Sequence, residues 1–274
     1  MSWDDIQSFL ESWFLNPGIE WEHILIAIGV ALVFGGIWLA LYRQPRFTNL
    51  WLPGVMLFGA FFTVVAVALV QLPLQYYIGQ GMSNVWSQGT LNDWLLLASI
   101  PMILVGGLVQ EGAKMVPMVA WWRGRKNLDP KVGLAIGAMA GFGFGMFRSF
   151  WINAYTIGGG WSFELIGEDW FGAISPFWQS FFFIGMQVAT SALAGYGLAK
   201  GRGWQFYLIA AGLSSLLSYS FVLYQKGYLT DIQIEIYFAA VAVLATIIAL
   251  WLRYRKEKVE EPTPPVEPAP TTSV

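Results

Sequence analysis

Glu111 and Lys114 stand three residues apart inside an apolar stretch covering residues 95–122, and Arg148 interrupts the next such stretch. One helical turn separates the carboxylate from the ammonium, in a segment where charge is costly. That pattern points either to an intramembrane reaction site, with Glu111 as base or metal ligand, or to a polar lock between helices. What the chain lacks narrows the chemistry. It has no cysteine and one histidine, His23, which excludes disulfides, thiolate zinc sites, iron–sulfur clusters and any site needing two imidazoles. A metal would have to rest almost wholly on oxygen ligands.

The elements that carry these residues follow from composition. The 274 residues are 56% hydrophobic and 12% charged. Several apolar runs reach about 20 residues, enough to cross a ~30 Å hydrocarbon core as helices. We expect an all-α, polytopic membrane bundle with seven spans at about 23–42, 50–72, 94–122, 132–153, 174–199, 204–225 and 232–252. Twelve of the fifteen basic residues follow spans one, three, five and seven or precede span four: Arg43, Arg46, Arg123, Arg125, Lys126, Lys131, Lys200, Arg202, Arg253, Arg255, Lys256 and Lys258. The positive-inside rule then places those connections in the cytoplasm, with the amino terminus outside and the carboxyl terminus inside. The opposite connections hold Asp93, Glu164, Glu168, Asp169 and Asp231 against Lys226 alone.

Three regions are expected. In the first, residues 1–20, the opening sixteen lack a basic n-region, so a cleaved signal peptide is not expected. Trp3, Ile6, Phe9, Leu10, Trp13 and Phe14 recur at helical spacing after Ser2, a candidate cap, and suggest an amphipathic helix on the outer interface or one that docks a partner. Residues 21–255 form the membrane domain. Residues 256–274 are rich in proline and acid and predict a disordered cytoplasmic tail. No internal repeat is apparent, which argues against a transporter built from inverted halves.

Depth along the helices brings polar residues together. Counted from the cytoplasmic span ends (Arg123, Lys131, Lys200 and Trp204) at about 1.5 Å per residue, Glu111, Arg148, Gln187 and Ser218 lie at roughly 18, 25, 20 and 21 Å. Gly133, Gly137 and Gly141 recur every four residues in span four, and Ser191, Gly195 and Ala199 do so in span five. Small residues at that interval let membrane helices approach closely. Packing of spans three, four and five would bring Glu111, Lys114, Arg148 and Gln187 within mutual reach.

In order and spacing, residues 95–225 resemble the PrsW-type intramembrane proteases, relatives of the CAAX-protease and abortive-infection group. That family carries E-E-x-x-K on one span, F-x-x-x-E-N on the next after a D-P and glycine-rich stretch, and a histidine on a third, followed three or four residues later by a small or acidic residue. The corresponding residues here are Gln110-Glu111-Gly112-Ala113-Lys114, then Asp129-Pro130 leading to Phe144 and Arg148-Ser149, then Gln187 with Ser191. The first glutamate, the Glu-Asn pair and the histidine of the family are thus Gln110, Arg148-Ser149 and Gln187. Where relatives often have a further histidine, span six offers Ser214, Ser215 or Ser218.

The resemblance implies Glu111 and Lys114 as catalytic residues if the chain is active. The departures imply a degenerate site, since a catalytic zinc takes three protein ligands and this cluster supplies one carboxylate beside two cations. We expect no metal and no cofactor, and a Glu111–Arg148 ion pair completed by Lys114 and Gln187. The expected function is that of a PrsW-like membrane protein that has lost catalysis and acts as a scaffold, peptide-binding protein or complex subunit. Two alternatives stand beside it: an active endopeptidase cleaving a membrane-anchored regulator, and a small-solute permease. Expected partners are the lipid bilayer and other membrane proteins or a membrane-anchored peptide, with no nucleic acid. Trp161, Phe163, Trp170 and Phe171, in the long connection between spans four and five, are candidate partner contacts. A bacterial or archaeal cell membrane is the expected location.

Overall fold

The computed structural model describes residues 2–14, 18–42, 51–124 and 129–255. Arg43, Arg46, Arg125, Lys126, Lys256, Lys258 and the proline-rich segment 256–274 lie outside the described residues, as do the side chains of Trp13, Phe14 and Trp51.

Every regular element among the described residues is helical. In chain order they are α1 (Trp3–Phe14), α2 (Trp21–Leu41) and α3 (Trp51–Ala66), which runs through a π-helical turn (Val67–Gln71) into α4 (Leu72–Val85). The short helices α5 (Gln88–Asp93) and α6 (Leu95–Ala98) lead to α7 (Ile100–Arg123) and α8 (Pro130–Gly158). A short α9 (Leu165–Glu168) precedes α10 (Trp170–Ala199), α11 (Gly203–Gln225) and α12 (Asp231–Tyr254). Seven segments are long and apolar enough to cross a membrane, matching the seven expected spans. The second is longer than expected, continuing past residue 72 to Val85.

Local chemistry starts these helices where they start. Asp129 caps α8 by accepting from the Lys131 amide at 2.8 Å, with Pro130 at the first helical position, where its missing N–H leaves no bond unmade. Thr230 and Gln233 form a reciprocal capping box on α12. On α1, the Ser2 hydroxyl accepts from the Asp5 amide at 3.2 Å while Asp5 accepts from the Ser2 amide at 2.6 Å, so Ser2 is the cap that the sequence suggests. The Tyr155 hydroxyl donates to Ser12 O at 3.1 Å, which ties α1 to the end of α8.

α8 and α10 form the antiparallel centre of the bundle. The glycine ladder sets their separation: a Cβ on Gly133 would lie 2.5 Å from Gly195 O, and Cβ atoms on Gly137 and Gly141 would collide with the carbonyls of Ser191 and Gln187. Backbone contact of this kind replaces the hydrophobic drive that lipid does not supply. α2 and α3 cover one side of α8, where Gly59 faces the Ala140 backbone and Gly143 the Met56 carbonyl. α11 and α12 cover α10, and α7 closes the remaining side against α11, α3, α8 and α10. Among the buried residues of α7, Gly107, Glu111, Lys114 and Met118, spaced four, three and four, form a stripe. That stripe carries the carboxylate and the ammonium inward.

Candidate functional site

Helical spacing alone brings Lys114 to Glu111. Lys114 Nζ donates to Glu111 Oε1 at 2.7 Å, and both side chains are inaccessible to solvent. The same oxygen accepts from Ser214 Oγ of α11 at 2.5 Å and from Thr190 Oγ1 of α10 at 2.9 Å. Thr190 also lies 3.0 Å from Met186 O, but it has one proton, and the charged acceptor forms the stronger bond. Lys114 Nζ donates a second hydrogen bond to Gln187 Oε1 and sits 5.8 Å from the centre of the Phe144 ring. One ion pair thus ties three helices at a single level: α7, α10 and α11. Glu111 Oε2 is buried and has no hydrogen-bond partner among the described residues.

Arg148 is not a partner of Glu111. Its guanidinium lies 4.1 Å from the centre of the Phe183 ring, half-buried, and Glu111–Lys114 is the ion pair formed among the described residues. The expected Glu111–Arg148 pair is therefore corrected, and the reason is axial. Phe144 is the α8 residue against Lys114, and Arg148 follows it by four residues, about 6 Å further along the helix. With Arg148 displaced, the pair of charges at Glu111 sums to zero rather than plus one.

The remaining family positions separate. Gln110 is one residue from Glu111, so it points to another side of α7, where its amide donates to Gln71 Oε1 of the π turn at 3.0 Å. Gln71 and Gln75 continue that chain of amides to the carbonyl of Met102. Ser149 Oγ faces Ser180 O at 3.3 Å, and Ser180 donates to Asn153 Oδ1 at 2.8 Å. Ser191 is fully buried against Gly141, its hydroxyl without a partner among the described residues. The structure thus brings together Glu111, Lys114 and Gln187 and leaves Gln110, Arg148, Ser149 and Ser191 on other contacts.

Thr190 escaped the sequence reading, and Ser214 was one of three serines left open on α11. Depth does not single it out: Ser214 lies ten residues beyond Trp204, about 15 Å, and Ser218 at roughly 21 Å, equally far from Glu111 at roughly 18 Å. Ser218 instead donates to Ser214 O at 3.1 Å. Among the candidate partner contacts, the Trp161 indole donates to Ala173 O at 2.9 Å and packs on Phe163 and Phe177, so that ring folds onto the bundle. Phe163 and Trp170 are exposed and Phe171 is half-buried.

Chemically, the cluster is a closed ion pair. A catalytic metal does not fit it: Glu111 is the sole carboxylate, its Oε1 already takes three donors, and a cation occupies the adjacent space. Among the described residues no group of three or more His, Asp or Glu side chains is placed to hold a metal ion. For a serine–lysine pair through Ser149 or Ser191, Lys114 is held by Glu111, the Ser149 hydroxyl faces a backbone carbonyl, and Ser191 is buried against Gly141.

Residues 48–155 match the family model of the PrsW family intramembrane metalloproteases. The matched segment includes Gln110, Glu111, Lys114, Arg148 and Ser149 and ends before Gln187 and Ser191, so it overlaps the resemblance read from the sequence over residues 95–155. No curated protein and no solved structure matches the chain.

Proposed function

Starting from a PrsW-family membrane segment that carries the polar cluster, we propose that the chain has lost the family's catalysis and serves as a scaffold, a peptide-binding protein or a subunit of a membrane complex. The observation that supports this reading best is the occupation of Glu111 Oε1 by the Lys114 ammonium and the hydroxyls of Thr190 and Ser214. A metalloprotease needs that carboxylate to hold a metal or activate water, and here its Oε1 is taken by three donors, one of them a cation that occupies the adjacent space. The same bonds join α7, α10 and α11 and favour a structural role.

The test uses the purified full chain in a neutral detergent. Elemental analysis is expected to find no stoichiometric metal, and a panel of membrane-anchored peptides is expected to stay intact. Cleavage that disappears in Glu111→Gln would overturn the proposal and favour the endopeptidase reading.

A further inference from the structure

α4 and the start of α7 meet at one level and enclose a cavity above it. The Gln75 amide donates to Met102 O at 2.8 Å, and Gly79 keeps α4 close to α7, since a Cβ there would lie 2.9 Å from Met102 Cε. Between α4 on one side and α5, α6 and the start of α7 on the other lies a cavity of 570 Å³. Gln75 and Met102 close its inner end, while Gln88 and Asn92 of α5 stand at its outer end. The Lys226 ammonium donates to Asn92 O and so fastens α5 to the end of α11. The volume falls within the roughly 300–1,000 Å³ usual for small-molecule sites.

Its polar groups are accessible and still have bonds to give. Gln88 and Asn92 are exposed, and neither side chain makes a hydrogen bond among the described residues. Each therefore offers an amide N–H₂ and a carbonyl oxygen. Gln80 Nε2 donates to Tyr76 Oη at 2.7 Å, which leaves the tyrosine proton and the Gln80 carbonyl oxygen to bond a ligand. Leu91, Leu95 and Met102 supply an apolar wall beside them. No Asp, Glu, Lys, Arg or His lines the cavity. A phosphate, a carboxylate or an ammonium group would thus lose its water for no counter-charge. The complement of this wall is a neutral group whose hydroxyls both donate and accept, with C–H on another face, and a sugar ring has that character.

The length of the second span sets the depth. Leu52–Val85 has 34 residues. At 1.5 Å per residue it reaches about 51 Å, more than the ~40–45 Å of a bilayer with its headgroups. Its last turns, which carry Gln80 and Ser83 into the cavity wall, therefore stand in the headgroup layer. A lipid headgroup and a dissolved sugar can both reach them there.

We propose that the cavity between α4 and α5–α7 binds an uncharged sugar, presented as the headgroup of a glycolipid or free in solution, with Gln88, Asn92, Gln80 and Tyr76 bonding its hydroxyls. The proposal is independent of the state of Glu111. Native mass spectrometry of the full chain in a polyoxyethylene detergent, which carries no sugar, reads the lipid arm with equimolar monoglucosyl diacylglycerol, diacylglycerol and phosphatidylglycerol. A maltose titration reads the free-sugar arm. The expected result is enrichment of the glucosyl lipid, its displacement by maltose, and roughly tenfold weaker binding in the double variant Gln88→Ala/Asn92→Ala. Both side chains are exposed and unbonded, so this variant leaves the hydrogen bonds of the fold intact. Maltose binding without lipid enrichment assigns the cavity to a free sugar. Retention of the glucosyl lipid no better than of diacylglycerol or phosphatidylglycerol, with no maltose binding, overturns the proposal. Unchanged binding in the double variant does so as well.

Discussion

Lys114 Nζ meets Glu111 Oε1 at 2.7 Å across one turn of α7, and neither side chain touches solvent. Breaking a buried pair strands a charge, whereas removing both charges does not. Lys114→Met and Glu111→Gln are each expected to destabilise the protein by about 3–5 kcal/mol. The double variant should recover most of that loss, because a glutamine at 111 still accepts from Thr190 and Ser214. Thermal unfolding of the four proteins in detergent, treated as a double-mutant cycle, measures the coupling. Additive losses would show that the pair is not coupled.

Arg148 supplies the contrast. Its contact is the Phe183 ring, so Arg148→Met orphans no carboxylate. The loss of a cation–π contact is about 0.5–2 kcal/mol, and it is offset by removing a poorly solvated charge. The unfolding midpoint of Arg148→Met is expected to stay near the parent's and well above that of Lys114→Met. A drop as large as that of Lys114→Met would point to an anionic partner for Arg148.

Close approach of α8 and α10 can be tested glycine by glycine. Alanine at 137 would press its Cβ onto the Ser191 carbonyl, and at 141 onto that of Gln187. Overpacking of this kind costs about 1–3 kcal/mol, occasionally more. Gly212, which has nothing within 4 Å of an added Cβ, should accept alanine without loss. Unfolding midpoints that rank the three alike would remove the glycine ladder as the element that sets the spacing.

The orientation deduced from the basic residues is open to direct labelling, because the chain has no cysteine of its own. Arg202 and Glu164 are exposed and lie in connections assigned to opposite sides. In intact cells, an impermeant maleimide is expected to label Glu164→Cys and to spare Arg202→Cys until the membrane is opened. The reverse pattern would invert the topology.

Much of the bundle could be read in the sequence because crossing a membrane demands long apolar runs. The second span was cut short because Gln75, Gln80 and Ser83 lower its hydropathy, although the helix persists to Val85. Part of that polarity is satisfied within the fold, where Gln75 bonds the Met102 carbonyl. At the site, the Glu111–Lys114 contact was legible from their spacing on one helix. The position of Arg148 was less so, although depths of roughly 25 and 18 Å already separated it from Glu111. Thr190 gave no signal, since a threonine in a membrane helix ordinarily bonds the carbonyl four residues back, as this one is also placed to do with Met186.

The π turn at Val67–Gln71 acts as a register joint. A π turn carries one residue more than an α turn, which rotates everything downstream by about 100°. Ahead of it, Gly59 and Val64 face the centre of the bundle; Gln71 at its end and Gln75 beyond it face Gly106 of α7, and Gln71 reaches Gln110. Deleting a single residue there would swing those amides away from α7 while leaving the α3 contacts with α8 unmoved. One extra residue thus lets a single span present two unrelated faces to two neighbours.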